Sequence, residues 1–77
     1  MLSLDKTTEN TLYRVVSIDL PEGISKRLAE LGIIKGTLVS KVLVAPSRDP
    51  SAYLIRGAQI ALRSEYAGAI TVERVTS

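Results

Sequence analysis

Glycine, proline and short polar runs divide this chain into brief segments, which leaves room only for short secondary-structure elements. Five of the segments are rich in β-branched residues or alternate between polar and apolar positions, so they predict strands. These segments are 13–20, 38–45, 52–56, 59–63 and 70–75. After the first of them, Pro21 precedes a run in which Ile24, Leu28 and Leu31 have helical spacing. That run predicts one amphipathic helix of about 8 to 11 residues.

The order of these segments predicts a mainly β fold. Closing a sheet removes its exposed edges, so we expect a small, bent β-barrel of about five strands with one short α-helix after strand one. A two-residue turn of type II′ at Gly57 and Ala58 is expected to join the third and fourth strands. With 77 residues and no cysteine, residues 1–77 are expected to form a single domain with an aliphatic core, on which Leu2 and Leu4 pack.

Two glycines, Gly32 and Gly36, follow the predicted helix and raise the question of a phosphate-binding loop. Such a loop places a Gly-Lys-Ser/Thr sequence between a strand and the start of a helix. Here Lys35 comes before Gly36, and the helix lies before the glycines rather than after them. The pattern therefore predicts a helix-to-strand corner, with Gly32 in a left-handed conformation just beyond the helix end.

The residue types that most often carry catalysis or bind transition metals are missing from the sequence. It contains no histidine and no cysteine, and its eight carboxylates are scattered without the spacing of a calcium loop. We therefore expect a protein that is not an enzyme and has no cofactor or metal site. The N-terminal segment lacks an apolar signal core, and no aliphatic run approaches the roughly 20 residues that cross a bilayer. A cytoplasmic protein without direct membrane insertion is expected.

Nucleic-acid binding is an alternative because small barrels often serve it. Single-strand binders arrange aromatic side chains along a basic groove. Here the aromatic residues are three tyrosines, and Lys41, Arg56 and Arg63 are the basic residues near predicted strands. The net charge is only +2, which argues against a nucleic-acid partner.

Binding to another protein is the function class that the apolar residues favour. Tyr53, Leu54 and Ile55 place apolar groups on both faces of one strand, and Ile33 and Ile34 are adjacent in the corner. At least one residue of each set is expected to stay exposed, and exposed apolar groups beside basic residues are typical of docking surfaces. The predicted partner-binding residues are Ile33, Ile34, Tyr53, Arg56 and Arg63.

Several short motifs follow one another along the chain. The stretch 28–37 is LAELGIIKGT, and Ala45-Pro46 and Asp49-Pro50 follow it. In this order they resemble the element R-L-x-x-[ML]-G-[LI]-x-x-G-T and the A-P-x-x-D-P loop of the FeoA domain family of bacterial ferrous iron transport. Further matches follow at 56–57, 60–63 and 69–72. The sequence departs from the family at 7–11, and at Arg48, where a glycine often stands.

This resemblance implies an SH3-like β-barrel and a non-enzymatic accessory or regulatory role. It implies a partner as well, the cytoplasmic domain of the ferrous iron permease, a FeoB-type membrane GTPase that would also hold the protein near the membrane. Two alternatives stay open. One is an SH3-like interaction module related to the C-terminal domain of iron-dependent repressors, and the other is the small nucleic-acid-binding barrel.

Overall fold

The computed structural model describes residues 1–76 of the chain. Its elements, in chain order, are β1 (Leu2–Ser3), a 3-10 turn (Leu4–Lys6), β2 (Tyr13–Ile18), α1 (Glu22–Glu30), β3 (Leu38–Val44), β4 (Ser51–Ile55), β5 (Ala58–Leu62), α2 (Ser64–Ala67) and β6 (Ile70–Arg74). The predicted mainly β fold is confirmed, and the predicted short helix is α1, although it follows β2 rather than the first strand. The sequence pattern missed β1, because two residues are too few to show a period.

The six strands form one antiparallel sheet in the order β1-β6-β2-β3-β4-β5. Register shifts within β2 and within β3 mark irregularities of the bulge type, which bend a strand and increase its twist. Within residues 1–76, β1 and β5 are the two edges and do not pair with each other, so the expected closure by strand pairing is not found. The 3-10 turn and α2, which follow these two edges, contact each other instead.

One apolar core lies under this bent sheet and takes residues from the sheet, the helix and the N-terminal segment. Its buried members are Leu4, Tyr13, Val15, Leu28, Ile33, Val39, Tyr53, Ile55, Leu62, Ala67, Ile70 and Val72. Leu2 packs against this cluster in a partly buried position. The expectation that both N-terminal leucines pack on the core is therefore confirmed.

The corner between α1 and β3 has the predicted glycine conformations. Gly32 has φ +95° and Gly36 has φ +93°, a region that side chains with a Cβ rarely adopt. Thr37 ties the corner together: its Oγ1 donates to the carbonyl of Gly32 at 2.8 Å and accepts from the N–H of Ile34 at 3.1 Å. Buried Thr37 thereby satisfies two backbone groups that have left the helix ladder.

The turn between β4 and β5 differs from the predicted one by one residue. Ile55 pairs with Ala58, so the two turn residues are Arg56 and Gly57. Both have positive φ, at 51° and 81°, which is the pattern of a type I′ turn. The prediction of a type II′ turn at Gly57 and Ala58 was wrong because an arginine with positive φ is uncommon, and sequence patterns disfavour it.

Candidate docking site

Two of the predicted partner-binding residues lie in the core. Ile33 and Tyr53 are each 1% exposed. Ile33 follows left-handed Gly32, its N–H donates to the carbonyl of Leu28 at 2.9 Å, and its side chain joins the core below the helix. Tyr53 lies on the inner face of β4, and its burial raises the pKa of the hydroxyl. Neither side chain is available to a partner in this conformation, so both predictions are corrected.

The other three predicted residues are exposed, and they lie in two places. Ile34 is 43% exposed beside its buried neighbour Ile33. The side chain of Arg56 lies over the corner, because a Cβ built at Gly32 would be 2.8 Å from Arg56 Cδ. Arg63 lies beyond the far end of β5, where its Nε is 3.6 Å from the Glu65 carboxylate in an exposed pair. Ile34 and Arg56 thus belong to the helix corner, whereas Arg63 belongs to a different region.

Exposed leucines extend the helix corner onto the outer face of the sheet. Ser40 pairs with Leu54, so Leu38, two residues earlier in β3, is the diagonal neighbour of Leu54 on the same face. Leu38 and Leu54 are each 44% exposed, and Arg56 follows Leu54 by two residues. We call this region the corner surface. It consists of Leu31, Ile34, Leu38, Leu54 and Arg56.

Sequence patterns had indicated that one residue of the run 53–55 would stay exposed, and the structure assigns that role to Leu54. Leu31 was expected to complete the buried face of the helix with Ile24 and Leu28, but it is 51% exposed. The α-helix ends at Glu30, and Leu31 is its C-cap, beyond the last residue of the helix. The sequence did not indicate that Leu38 would be exposed, because one apolar residue at the start of a strand fits either face of the sheet.

A second exposed region is an apolar groove between α1 and the end of β5, with a volume of about 240 Å³. Its walls come from three elements and are mostly aliphatic. The lining residues are Ile24, Arg27, Leu28, Leu31, Ala61, Leu62, Arg63 and Tyr66. The two charged members are both arginines, one on the helix and one beyond the strand. Leu31 belongs to both the groove and the corner surface, so the two regions are continuous.

A larger cleft of about 610 Å³ lies beside the N-terminal segment and has a different character. Its lining includes Asp5 and Glu9 together with Lys41 and Arg48, so it presents no single charge. The ammonium of Lys41, itself buried, donates to the carbonyl of Asp5 at 2.9 Å. This lysine therefore anchors the N-terminal segment to β3. The cleft offers neither the apolar lining nor the uniform charge that would select a ligand class.

The aromatic side chains are not arranged as a platform for stacking bases. Tyr13 and Tyr53 are buried, and only Tyr66, in α2, is partly exposed. The N–H of Thr8 donates to the Tyr13 hydroxyl oxygen at 3.1 Å, and this hydrogen bond lowers the pKa of Tyr13. Two of the three tyrosines thus serve the core rather than a surface, which removes the main feature of a single-strand binder.

Two further features concern metals and membranes. Across residues 1–76, no three or more histidine, cysteine or carboxylate side chains are grouped so as to hold a metal ion. Within the same residues, no helix is long and apolar enough to cross a membrane.

Comparison with known proteins identifies relatives of the whole domain. A family model described as the FeoA domain matches residues 2–74. The Fe(2+) transport protein A/Fe(2+) transporter FeoB fusion protein of Porphyromonas gingivalis is 40% identical over 52 residues, a match that covers 68% of this chain and 6% of the fusion protein. The chain thus spans only a small part of that relative.

Solved structures show the same fold. The FeoA protein of Stenotrophomonas maltophilia, solved with zinc and described as a prokaryotic SH3 domain protein, is 30% identical, with a TM-score of 0.81 over 95% of this chain and 91% of its own. This likeness confirms the predicted SH3-like fold. IdeR of T. acidophilum has a TM-score of 0.83 at 23% identity, over 96% of this chain and 34% of its own, which shows a shared fold alone.

Proposed function

This chain belongs to the FeoA domain family, and from that premise we propose that it is a non-enzymatic accessory protein of ferrous iron transport. Its partner would be the cytoplasmic part of a FeoB-type membrane permease. The observation that carries this proposal is the fusion protein, in which a related sequence is joined to a FeoB transporter in one chain. Domains that are fused in one organism often act together as separate chains in another.

The corner surface is the part of the molecule that we assign to this partner. Leu31, Ile34, Leu38 and Leu54 are large apolar side chains between 43% and 51% exposed. Arg56 follows Leu54 by two residues, and its side chain lies over Gly32 of the same corner. Protein interfaces combine such an apolar centre with arginine, which is enriched among the residues that contribute most to binding. The tight turn and the hydrogen-bonded glycine corner fix the backbone that carries these side chains, so less backbone freedom is lost on binding.

Arg56 allows a test that separates binding from folding. Asparagine is a preferred residue in a type I′ turn, so Arg56→Asn is expected to keep the hairpin while it removes the guanidinium. Calorimetric titration of the chain with the purified cytoplasmic part of the permease should show binding that Arg56→Asn and Ile34→Ser each weaken by roughly tenfold. Arg74→Asn, an exposed arginine on β6 outside the corner surface, is the matched control and should bind like the wild type.

Two outcomes would contradict the proposal. If the wild-type chain does not bind the permease, the partner is wrong. If it binds and both corner variants bind equally well, the surface is wrong. In cells, deletion of the gene should lower ferrous iron uptake, and the wild-type chain should restore it better than Arg56→Asn does. Unchanged uptake after deletion would count against a role in transport.

A further inference from the structure

Strand β5 is an open edge that lacks the usual protection. Its outer side has no neighbouring strand within residues 1–76. Natural edge strands are commonly guarded by charged residues, proline or very short length. The five residues of β5, AQIAL, include neither a charge nor a proline, and its side chains at 58, 59 and 61 are exposed. Such an edge is suited to pairing with an added strand.

The hairpin geometry determines which backbone groups face outward. A two-residue turn closes on a hydrogen-bonded pair, here Ile55 with Ala58. Hydrogen-bonded and non-hydrogen-bonded pairs alternate in antiparallel sheets. Ile60 and Tyr53 therefore form the next hydrogen-bonded pair. Gln59 and Ala61 belong to the non-hydrogen-bonded pairs, so their N–H and C=O groups point away from β4. Among the described residues 1–76, no other backbone or side-chain hydrogen bond occupies the outward groups of Gln59 and Ala61. Two residues in register are therefore ready to bond an incoming strand.

The apolar groove lies directly beside this edge. Ala61 belongs to both, and the opposite wall is formed by Ile24 and Leu28 of α1 and by Leu31 at its C-cap. A cavity of about 150 Å³ holds a benzene-sized group, so the 240 Å³ of this groove has room for a large apolar side chain. A strand that pairs with β5 would direct alternate side chains to one face, where this groove is the available pocket.

The charges around the groove favour particular residues in such a strand, next to the side chain that enters the groove. Arg27 on α1 and Arg63 beyond β5 are the charged residues of its lining, which contains no carboxylate. The contact of Arg63 with Glu65 is exposed and long, and pairs of this kind contribute little to stability. Arg27 is exposed, and the weak contact of Arg63 with Glu65 is readily exchanged, so both guanidinium groups can donate to carboxylates of a partner. Paired guanidinium–carboxylate contacts are strong and directional.

We propose that β5 and the groove beside it bind an extended segment of the partner as an added strand, with one large apolar side chain in the groove and acidic residues next to it. This inference rests on the proposed function and deepens it, because it names the form of the partner's contact. Main-chain hydrogen bonds would supply affinity, and the groove with its two arginines would supply specificity.

Amide hydrogen exchange tests this inference directly. In the complex with the permease's cytoplasmic part, the N–H groups of Gln59 and Ala61 should become protected from exchange, whereas Ala58 and Ile60, already bonded to β4, should change little. Peptides that tile the cytoplasmic sequence of the permease then locate the segment. The one that reproduces the protection should carry a large apolar residue next to aspartate or glutamate.

Two variants test the edge and the charges separately. Ala61→Pro removes an outward N–H without breaking the ladder to β4, a position at which edge strands tolerate proline. Arg27→Glu reverses one charge at the groove. Each should weaken binding by roughly tenfold or more, whereas Arg74→Glu, on β6 outside the groove, should leave affinity within about twofold. The melting temperature of each variant shows whether it is folded. Arg27 is exposed, so Arg27→Glu is expected to fold and still tests the inference if Ala61→Pro does not fold.

The outcomes separate this inference from the proposed function. A complex that forms without protection of Gln59 and Ala61, and that tolerates Arg27→Glu, overturns the added strand but leaves the function. No complex at all overturns both. Protection that appears without the permease and grows with protein concentration identifies the occupant as a second copy of this chain, which also overturns the assignment to the partner.

Discussion

Gly32 shows how one residue is constrained by both its backbone and its surroundings. Its φ of +95° disfavours any side chain, and an added Cβ would be 2.8 Å from the Cδ of Arg56. Gly32→Ala is therefore expected to lower the free energy of unfolding by about 1–3 kcal/mol in urea denaturation. Gly23 is the matched control, because it lies in α1 and an added Cβ would meet no atom of residues 1–76 within 4 Å. Gly23→Ala should be neutral or stabilise by up to about 1 kcal/mol.

A double variant separates the two causes at this position. If the close approach to Arg56 contributes, Gly32→Ala should cost less in an Arg56→Ala background than in the wild type. The cost that remains is the backbone strain. Equal stability of Gly32→Ala and Gly23→Ala would contradict the left-handed corner.

Tyr53 and Tyr13 should give opposite dependences of stability on pH. Burial raises the pKa of Tyr53, so its contribution is fully present below the unfolded value of about 10 and is lost as pH rises through the folded pKa. The hydrogen bond from Thr8 lowers the pKa of Tyr13, so the folded state is favoured as pH rises from that lowered pKa to about 10.

The measurement is urea denaturation between pH 8 and about 11 for the wild type and two phenylalanine variants. Tyr53→Phe should lose less stability than the wild type as the pH rises past about 10, because the buried phenol no longer titrates. Tyr13→Phe should lose more, because the favourable ionisation is gone. Every other residue is common to the three proteins, so its contribution cancels in the differences. Parallel curves would show that neither hydroxyl senses its surroundings.

At the scale of elements, the N-terminal segment is part of the core rather than an appendage. Leu4 is buried in the 3-10 turn, and the hydroxyl of Thr7 donates to its carbonyl at 2.7 Å. The segment is then held along β3, because the N–H of Asn10 donates to the carbonyl of Lys41 at 2.8 Å. Its removal would open one side of the core.

Truncation of one leucine measures this contribution. Leu4→Ala is expected to cost about 2–5 kcal/mol, since it removes a buried side chain and leaves a cavity. The control is Leu43→Ala on the outer face of β3, where the side chain is 57% exposed and the cost should be about 0.5 kcal/mol or less. Thermal unfolding followed by circular dichroism compares the two. A similar, small loss for both would mean that the segment is dispensable.

The elements themselves follow from local patterns, but their orientations do not. Periodicity predicted each long strand and the helix because the alternating burial of β2 and β4 repeats over five or more residues. The pairs Ile33 and Ile34, and Tyr53 and Leu54, gave no such signal, because two adjacent apolar residues fit either face equally. Which residue faces inward depends on the left-handed Gly32 in one case and on the register with β3 in the other.

At the scale of the whole molecule, the sequence predicted a small bent β structure but not its open edges. Closure depends on whether strands far apart in the chain meet, and local periodicity carries no such information. Here β1 and β5 are at opposite ends of the strand order and do not pair within residues 1–76, so a free edge remains beside the groove. The candidate docking site is therefore mostly a product of tertiary structure. Arg56 and Arg63 were predicted, but their separation into two regions was not.

The charge of the whole molecule and the burial of its tyrosines lead to a last prediction. A single-strand binder loses affinity steeply with salt, because each neutralised phosphate releases counterions. With a net charge of +2 and only Tyr66 partly exposed among the tyrosines, this chain is expected to show no binding to single-stranded oligonucleotides even at low salt. Fluorescence anisotropy with labelled DNA and RNA measures this, and Arg56→Asn serves as the comparison. Binding that falls steeply with salt and weakens in that variant would instead make the corner surface a nucleic-acid site and contradict the protein partner.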